Sequence, residues 1–534
     1  MLRFRLLIAG VLGAAAVWGV LELTQPPGPG LDPDSLSYLG AGISLARGEG
    51  LRVPSASWAS ADTSSPLVHF PPGFSATIAV GIRMGASPVK AARIVEAVSA
   101  GVTVATVVLV AAAAGGLVAA FVAIAMVAVT PAMMTVHASV LSEPLFLALL
   151  TCFVGVLAGD PSKRRTRRTL VLGALAAAAI LVRYAGVSLL AVLALEGFIA
   201  VPEAALTGRS AGFRVLARAR SVAVAVALPV VLLAAWAFTR PRSAEAERIR
   251  DAGVYLNGFG ATVGEGVTTV AQWLAPSFTP GLATVLVAAG VLAAIITLLV
   301  HAARAALRGE ASAGEVRVVR GVELTAIAYG MVLVASRLLA DPGIPFDARL
   351  LAPLFLLASI AIGVLVASWC RAAAVAGHVR ALILTIGIIA SWIAGAAQVS
   401  GALLDEVRAD GADMAAAEWR LSPLVDWATH ADARTRLYSN WPAAIWFHTG
   451  RAALELPTEL DSATVAAFRA KLAFENGAVV AFHQRSPDVA SPDSLAKLAG
   501  LVEVMRSAAG TVWRAHAATD TTGAPPQAAP RISP

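Results

Sequence analysis

The segment LDPDSLSYLGAGISLARGEG, residues 31–50, is a polar stretch in a chain otherwise dominated by apolar runs, and VHFPPGF follows at residues 68–74. Asp32, Asp34, Tyr38 and His69 are concentrated here, between the first two apolar runs. After Asp34 the apolar residues recur at helical spacing, which predicts an amphipathic helix on a membrane surface. We expect this segment to form one wall of a site on the non-cytoplasmic face of a membrane.

The composition indicates an α-helical polytopic membrane protein. Of the 534 residues, 57% are hydrophobic and 14% are charged, whereas soluble domains carry roughly 25% charged residues. Because a helix needs roughly 20 apolar residues to cross a bilayer, the sequence predicts about eleven spans. These are residues 6–23, 91–114, 116–132, 143–159, 169–183, 185–203, 221–239, 281–303, 321–340, 350–369 and 381–400. The apolar segment 73–84 is too short to cross, so it is expected to be an interfacial helix in the first external loop.

Basic residues predict the orientation of the spans. The cationic clusters of the short loops, including Arg3, Arg5 and the run KRRTRR at residues 163–168, fall on one side if the spans alternate. The positive-inside rule assigns that side to the cytoplasm. The N-terminus is then cytoplasmic, and the chain after residue 400 faces outward from a bacterial-type inner membrane. This placement explains the formal net charge of +7 better than nucleic-acid binding does.

The arginines between residues 240 and 250 lie in a loop that is external in this scheme, so they argue against it. After residue 400, charges return and the apolar runs shorten. The sequence therefore predicts a transmembrane domain at 1–400 and an external α/β domain at 402–517. A polar, proline-rich tail at 518–534 is expected to be disordered.

Asp32 and Asp34 are the strongest candidates for chemistry. Asp32 precedes Pro33, a pattern typical of a helix N-cap with proline in the first turn. Asp34 then lies in that turn, where the helix dipole favours an anion, and it shares a flank with Tyr38. A carboxylate in partly desolvated surroundings can also serve as a general base. Capping and catalysis both remain open for these two acids.

Glu143 opens the fourth apolar run within ASVLSEPLFLAL, residues 138–149. An acid so close to hydrocarbon is costly and indicates a functional site, although a first-turn acid before proline also fits an ordinary helix start. His137 lies nearby, and His69 precedes a stiff Pro-Pro-Gly turn. Either histidine could contact a substrate hydroxyl or phosphate, or could brace its own turn.

Arginines interrupt apolar stretches at the same predicted level of the membrane. Arg183 and Tyr184 occur in LVRYAG at residues 181–186, and Asp347 and Arg349 occur in FDARLLAPL at residues 346–354. Snorkelling to the interface is one explanation for such arginines. The other is that their guanidinium groups bind a phosphate at the membrane surface.

The sequence gives little support to metal or nucleotide chemistry. Cys152 and Cys370 lie in or at the end of apolar runs without metal-ligand spacing. A glycine-rich phosphate loop with a lysine and an HExxH motif are both missing from the 534 residues. We expect no organic cofactor, and a divalent metal remains possible.

Taken in order, these motifs resemble the GT-C class of polytopic glycosyltransferases, family 39 in particular, which includes protein mannosyltransferases and aminoarabinose transferases. The resemblance implies that an acidic residue of the first external loop is the catalytic base, and Asp34 matches it. It also implies a second acid, matched by Glu143, and a basic residue of a late external loop, matched by Arg349. It also implies a polyprenyl-phosphate-linked sugar donor and inverting transfer to a glycan, lipid or protein acceptor. Ser35 follows Asp34 where the protein mannosyltransferases have a second acid, which leaves the acceptor class open.

Two other functions compete with this interpretation. A secondary transporter would place ionisable residues near the bilayer midplane, whereas those found here cluster at the ends of the spans. A non-catalytic membrane scaffold would use its external domain to bind a partner, and its first-loop acids would have no chemical role.

Overall fold

The computed structural model describes residues 2–159, 165–199, 211–239, 253–277, 311–484 and 489–515, with scattered positions between 286 and 308. The chain forms two compact units. The first comprises Met1–Leu51 and Pro66–Ala415, and the second comprises Arg52–Ser65 and the chain from Ala416 on. Most of the predicted span 281–303, the arginines at 240–250 and the tail at 518–534 lie outside the described residues.

The first unit is helical. Its described helices are α1 Leu2–Leu23, α2 Pro33–Ala46, α3 Gly73–Arg83, α4 Pro88–Val129, α5 Pro131–Ala138, α6 Glu143–Leu157, α7 Arg165–Val182, α8 Val187–Ile199, α9 Ala211–Phe238, α10 Phe259–Leu274, α11 Ala313–Leu339, α12 Ala348–Val375 and α13 Val379–Asp410. Small residues and branched aliphatics from α4, α6, α7, α11 and α12 form its main core.

Five of the described helices are long and apolar enough to cross a membrane: α1, α4, α11, α12 and α13. Shorter apolar helices cover Glu143–Leu157, Tyr184–Glu196 and Val222–Phe238. The chain is thus a multi-pass membrane protein by the length and composition of its helices. The total of about eleven predicted spans stays a prediction, because part of the chain lies outside the description.

The backbone breaks at two points between predicted spans. The runs 91–114 and 116–132 form the single element α4, whose backbone is non-helical at Gly116. The break at LVRYAG is sharper: α7 ends at Val182, Arg183 is extended, and a 3-10 turn at Tyr184–Gly186 leads into α8. The break therefore presents the Arg183 side chain at a helix end.

The second unit is a small α/β fold. Its helices are α14 Ala417–Arg420, α15 Pro423–His430, α16 Pro442–Thr449, α17 Ser462–Phe474 and α18 Pro492–Leu498. Its strands are β3 Leu437–Ser439, β4 Ala453–Glu455, β5 Ala478–Phe482, β6 Val502–Ser507 and β7 Gly510–Arg514, after the short pair β1 Arg52–Val53 and β2 Ser65–Pro66. The sheet order is β4-β3-β5-β7-β6, with β4, β3 and β5 parallel and β7 antiparallel to both its neighbours.

A segment of the first predicted loop belongs to this second unit. Ala56 is buried in its core, and its carbonyl accepts the N–H of Glu455 at 2.9 Å. The Trp58 ring meets the edge of Phe468 with centroids 5.7 Å apart. The predicted boundary at residue 402 falls within α13, and the described second unit resumes at Ala416.

Candidate active site

Arg349 lies at the centre of the candidate site, in the first turn of α12. Asp347 caps that helix, since its Oδ1 accepts the N–H of Leu350 at 2.8 Å. Arg349 donates to three carboxylates: from Nη1 to Asp32 at 2.8 Å, from Nη2 to Asp34, and from Nε to Glu143. One guanidinium therefore joins α2, α6 and α12, elements far apart in sequence.

The start of α2 delivers two of these acids. Asp32 is the N-cap, and its Oδ1 accepts the N–H of Asp34 at 3.2 Å while Pro33 occupies the first helical position. The same carboxyl pairs with Arg349 through Oδ2. Burial, reinforced by neighbouring Asp34 and opposed by Arg349, raises the pKa of Asp32 from 3.8 to about 6.

Backbone pairing fixes the approach to α2. Gly30 donates its N–H to Ala138 at 2.8 Å and accepts the N–H of Val140 at 2.9 Å. A Cβ on Gly30 would lie 2.2 Å from Ser139 Oγ and 2.7 Å from Asp413 Oδ2, so only glycine fits between these side chains. The strand-like passage through Gly30 thus holds Asp32 beside the segment that leads into α6.

Glu143 is the buried acid of the site, with 2% of its side chain exposed. Arg183 Nη1 lies 2.6 Å from Glu143 Oε1, which also receives Arg349 Nε. Ser142 donates to Glu143 Oε2 at 3.3 Å and receives a hydrogen bond from Arg183 at 3.0 Å. A buried carboxylate is tolerated where such charged and polar partners surround it, and two guanidinium groups do so here.

Tyr38 closes the back of the site. Its ring is buried against Phe74 and Phe70, with centroids 5.1 and 4.8 Å away, and its hydroxyl lies 3.1 Å from Ser142 Oγ. The Pro-Pro-Gly turn ahead of α3 makes this packing possible. A Cβ on Gly73 would lie 2.5 Å from the carbonyl oxygen of Leu181, so glycine allows the turn to approach the end of α7.

The structure brings six of the ten predicted site residues into one hydrogen-bonded network: Asp32, Asp34, Tyr38, Glu143, Arg183 and Arg349. The other four have different surroundings. His69 is exposed, with its ring 6.5 Å from that of Phe70, and Tyr184 receives a hydrogen bond from Trp236 Nε1 at 3.2 Å. His137 is buried, with Nδ1 2.8 Å from the carbonyl of Met133 in its own helix. Asp347 caps α12, and burial raises its pKa.

Three residues of this region were not predicted from the sequence. Ser142 links Tyr38, Arg183 and Glu143, and nothing but its place before Glu143 could have indicated it. Asp413 Oδ2 accepts a hydrogen bond from the hydroxyl of Ser139 at 3.3 Å. Glu96 is fully buried and accepts the N–H of Leu141 at 2.9 Å. An acid within the apolar run 91–114 is the signal that could have revealed Glu96.

The network concentrates charge that can hold a phosphate and move a proton. Its two guanidinium groups are suited to bind phosphate oxygens, and its carboxylates can accept a proton from a hydroxyl. Among the described residues, no set of three or more His, Cys, Asp or Glu side chains is arranged to hold a metal ion.

Comparison with known proteins points to the fold. Neither protein-family profiles nor curated proteins match the sequence. Among solved structures, ArnT from Cupriavidus metallidurans bound to undecaprenyl phosphate matches with a TM-score of 0.51 and 14% identity, over 95% of this chain and 98% of that one. The archaeal oligosaccharyltransferase AglB from Archaeoglobus fulgidus, in complex with an inhibitory peptide and a dolichol-phosphate, matches with a TM-score of 0.55 and 12% identity. This second match covers 90% of this chain and 69% of that one.

A further structure of the Archaeoglobus fulgidus oligosaccharyltransferase, in complex with Zn and sulfate, has a TM-score of 0.53 and 14% identity over 89% of this chain and 68% of that one. ArnT and AglB are both GT-C membrane glycosyltransferases. The resemblance inferred from the sequence motifs is therefore confirmed at the level of the fold: this chain has the fold of the GT-C membrane glycosyltransferases.

Proposed function

We propose that this protein transfers a sugar from a polyprenyl-phosphate donor to an acceptor hydroxyl on the non-cytoplasmic side of a bacterial-type inner membrane. The observation that carries the proposal is the joining of Asp34 and Glu143 by Arg349 in a GT-C fold. ArnT was solved with undecaprenyl phosphate and AglB with a dolichol-phosphate, so a lipid-linked donor is compatible with this fold. A prenyl tail that stays in the bilayer also gives a physical reason to build the site where helices begin at the membrane surface.

Asp34 is the general base in this proposal. Its Oδ2 pairs with Arg349, and among the described residues its Oδ1 has no hydrogen-bond donor. That oxygen can accept the proton of the acceptor hydroxyl while the hydroxyl oxygen bonds to the anomeric carbon. Attack from the face opposite the lipid phosphate breaks the bond from carbon to phosphate oxygen and inverts the anomeric configuration.

The two arginines stabilise the departing lipid phosphate, which leaves with the bonding electron pair. Arg349 has five N–H groups and uses three on carboxylates, so two remain for phosphate oxygens. Arg183 pairs with Glu143, which also contacts Arg349, and so adds a second positive charge to the site. Preset cations at a developing negative charge are a large source of rate enhancement. Glu143 holds both guanidinium groups in position, and together with His69 at the exposed edge it orients donor or acceptor.

The test is transfer by the full-length protein in lipid nanodiscs, supplied with polyprenyl-phosphate hexoses and pentoses and with membrane extracts of a deletion strain as acceptor. Mass spectrometry of the products identifies the sugar and the acceptor. We expect Asp34→Asn to fold as the wild type does and to lose at least ~100-fold in rate, in line with the contribution of a general base. Ser37→Ala, at a half-buried position of the same helix, is the matched control and should retain activity. Full activity of Asp34→Asn would remove Asp34 from this role.

A further inference from the structure

We infer that Arg349 occupies the position in this site that a divalent cation would otherwise take, and that the transfer reaction runs without a metal. The inference rests on the proposed function and concerns the same residues. It starts from the arrangement of Asp32, Asp34 and Glu143, whose carboxylates converge on a single positive centre. Carboxylate oxygens are the ligands that a hard divalent cation prefers, but with Arg349 between them these acids are not arranged to hold one.

The carboxylate oxygens do not fit a metal while Arg349 is in place. Asp32 Oδ1 accepts the N–H of Asp34, and Asp32 Oδ2 pairs with Arg349. Glu143 Oε1 pairs with both arginines, and Glu143 Oε2 accepts the hydroxyl of Ser142. Of the six oxygens, only Asp34 Oδ1 lacks a donor among the described residues. One free oxygen offers a cation a single carboxylate contact, so water and substrate phosphate would have to supply the rest of a Mg²⁺ shell.

Charge leads to the same conclusion. A dication placed among these acids would lie next to two guanidinium groups that already contact them, Arg349 at three carboxylates and Arg183 at Glu143. Like charges at this spacing repel strongly where water is partly excluded. The guanidinium can also bridge as a metal does, because its two remaining N–H groups can reach phosphate oxygens while the other three hold carboxylates. A solved neighbour of the same fold is in complex with Zn and sulfate, whereas the transfer reaction of this chain is proposed to need no metal.

The inference predicts that removal of Arg349 creates a cation site. Purified protein is stripped with EDTA, and Mn²⁺ binding is measured by electron paramagnetic resonance in the wild type, Asp34→Asn, Arg349→Ala and the double variant Arg349→Ala/Asp34→Asn. We expect no saturable site in the wild type, one per chain in Arg349→Ala, and its loss or at least ~10-fold weakening in the double variant, as expected when one carboxylate ligand is neutralised. A saturable Mn²⁺ site in the wild type that the Asp34→Asn single variant removes would overturn the inference, as would a folded Arg349→Ala that binds no Mn²⁺. If Arg349→Ala does not fold, the wild-type measurement still decides between these outcomes.

Transfer assays with EDTA and with added metal ions test the metal-free reaction separately from the proposed function. Wild-type transfer should be unchanged by EDTA and by added Mn²⁺ or Mg²⁺. Transfer that EDTA abolishes and Mn²⁺ restores would leave the proposed function standing and would overturn the metal-free mechanism. Failure to transfer any polyprenyl-phosphate sugar would overturn the proposed function, while the Mn²⁺ measurement would still test the role of Arg349.

Discussion

Asp32 holds the helix start and the central arginine together, because one carboxylate oxygen accepts a backbone N–H of α2 and the other pairs with Arg349. The cost of burying its charge shows in a pKa raised to about 6. The folded state therefore binds this proton more tightly than the unfolded state does. By linkage, ionisation of Asp32 lowers the free energy of unfolding as the pH rises from about 4 to about 6.

Asp32→Asn should remove this contribution. In thermal unfolding scans of detergent-solubilised protein from about pH 4 to about pH 7, we expect Tm of the wild type minus Tm of the variant to decrease through that window and to level off above it. Groups shared by both proteins cancel in the difference. A difference that stayed constant across the whole range would contradict the raised pKa.

Arg183 and Glu143 form the most buried ion pair of the site, with 14% and 2% of their side chains exposed. Arg183→Gln removes one charge and leaves the carboxylate to Arg349 alone, so we expect a loss of about 3 kcal/mol in the free energy of unfolding. Denaturant titration in mixed micelles measures it. Adding Glu143→Gln should recover part of the loss, because the buried carboxylate that lost one of its two cations is then neutral. A double variant less stable than Arg183→Gln would argue against this account.

At the level of elements, Glu96 of α4 supports the loop that carries Ser142 and Glu143. Its Oε1 accepts the N–H of Leu141, a donor that would otherwise be buried without a partner. Glu96→Gln keeps an acceptor oxygen and should preserve this bond. Glu96→Leu removes it, and an unsatisfied buried N–H costs about 1–3 kcal/mol.

We therefore expect hydrogen exchange at the Leu141 amide to accelerate in Glu96→Leu and to remain near the wild-type rate in Glu96→Gln. Transfer activity should fall in the leucine variant alone, since Glu143 would be less firmly positioned. If both variants exchanged at the wild-type rate, the loop would not depend on this hydrogen bond.

Local signals in the sequence explain several helix boundaries. Asp32-Pro33 and Glu143-Pro144 mark the starts of α2 and α6, and the LVRYAG break falls where α7 ends. The contact between Asp34 and Arg349 was expected, because the sequence assigned both residues to the same side of the membrane. Ser142 and Asp413 could not be predicted in this way, because their roles depend on partners distant in sequence that no local pattern specifies.

At the level of the whole molecule, two units are built from interleaved parts of the chain. Residues 52–65 leave the first unit and contribute to the core of the second. Composition could not reveal this exchange, because the segment is rich in Ser and Thr and carries little apolar signal beyond Trp58. The Trp58 ring against Phe468 and the bond from Glu455 to Ala56 hold it there.

Trp58→Ala in the full-length chain should loosen the second unit. Truncation of a packed tryptophan costs about 3–5 kcal/mol when the site is fully buried, and we expect about half of that because Trp58 is partly exposed. Hydrogen exchange should accelerate in β4, whose Glu455 amide bonds to this segment. Ser57→Ala, at the exposed neighbouring position, is the control and should leave β4 protected. Unchanged protection in Trp58→Ala would indicate that the ring does not stabilise the unit.

The interleaving also bears on how the protein is made. Ribosomes deliver residues 52–65 long before Ala416 emerges, and the intervening chain from Pro66 to Ala415 builds the first unit. The segment 52–65 must therefore wait for partners that are synthesised later. Assembly of the second unit can be completed only after β7, Gly510–Arg514, has been synthesised, so chains released before that point would expose Ala56 and Trp58 to quality-control proteases.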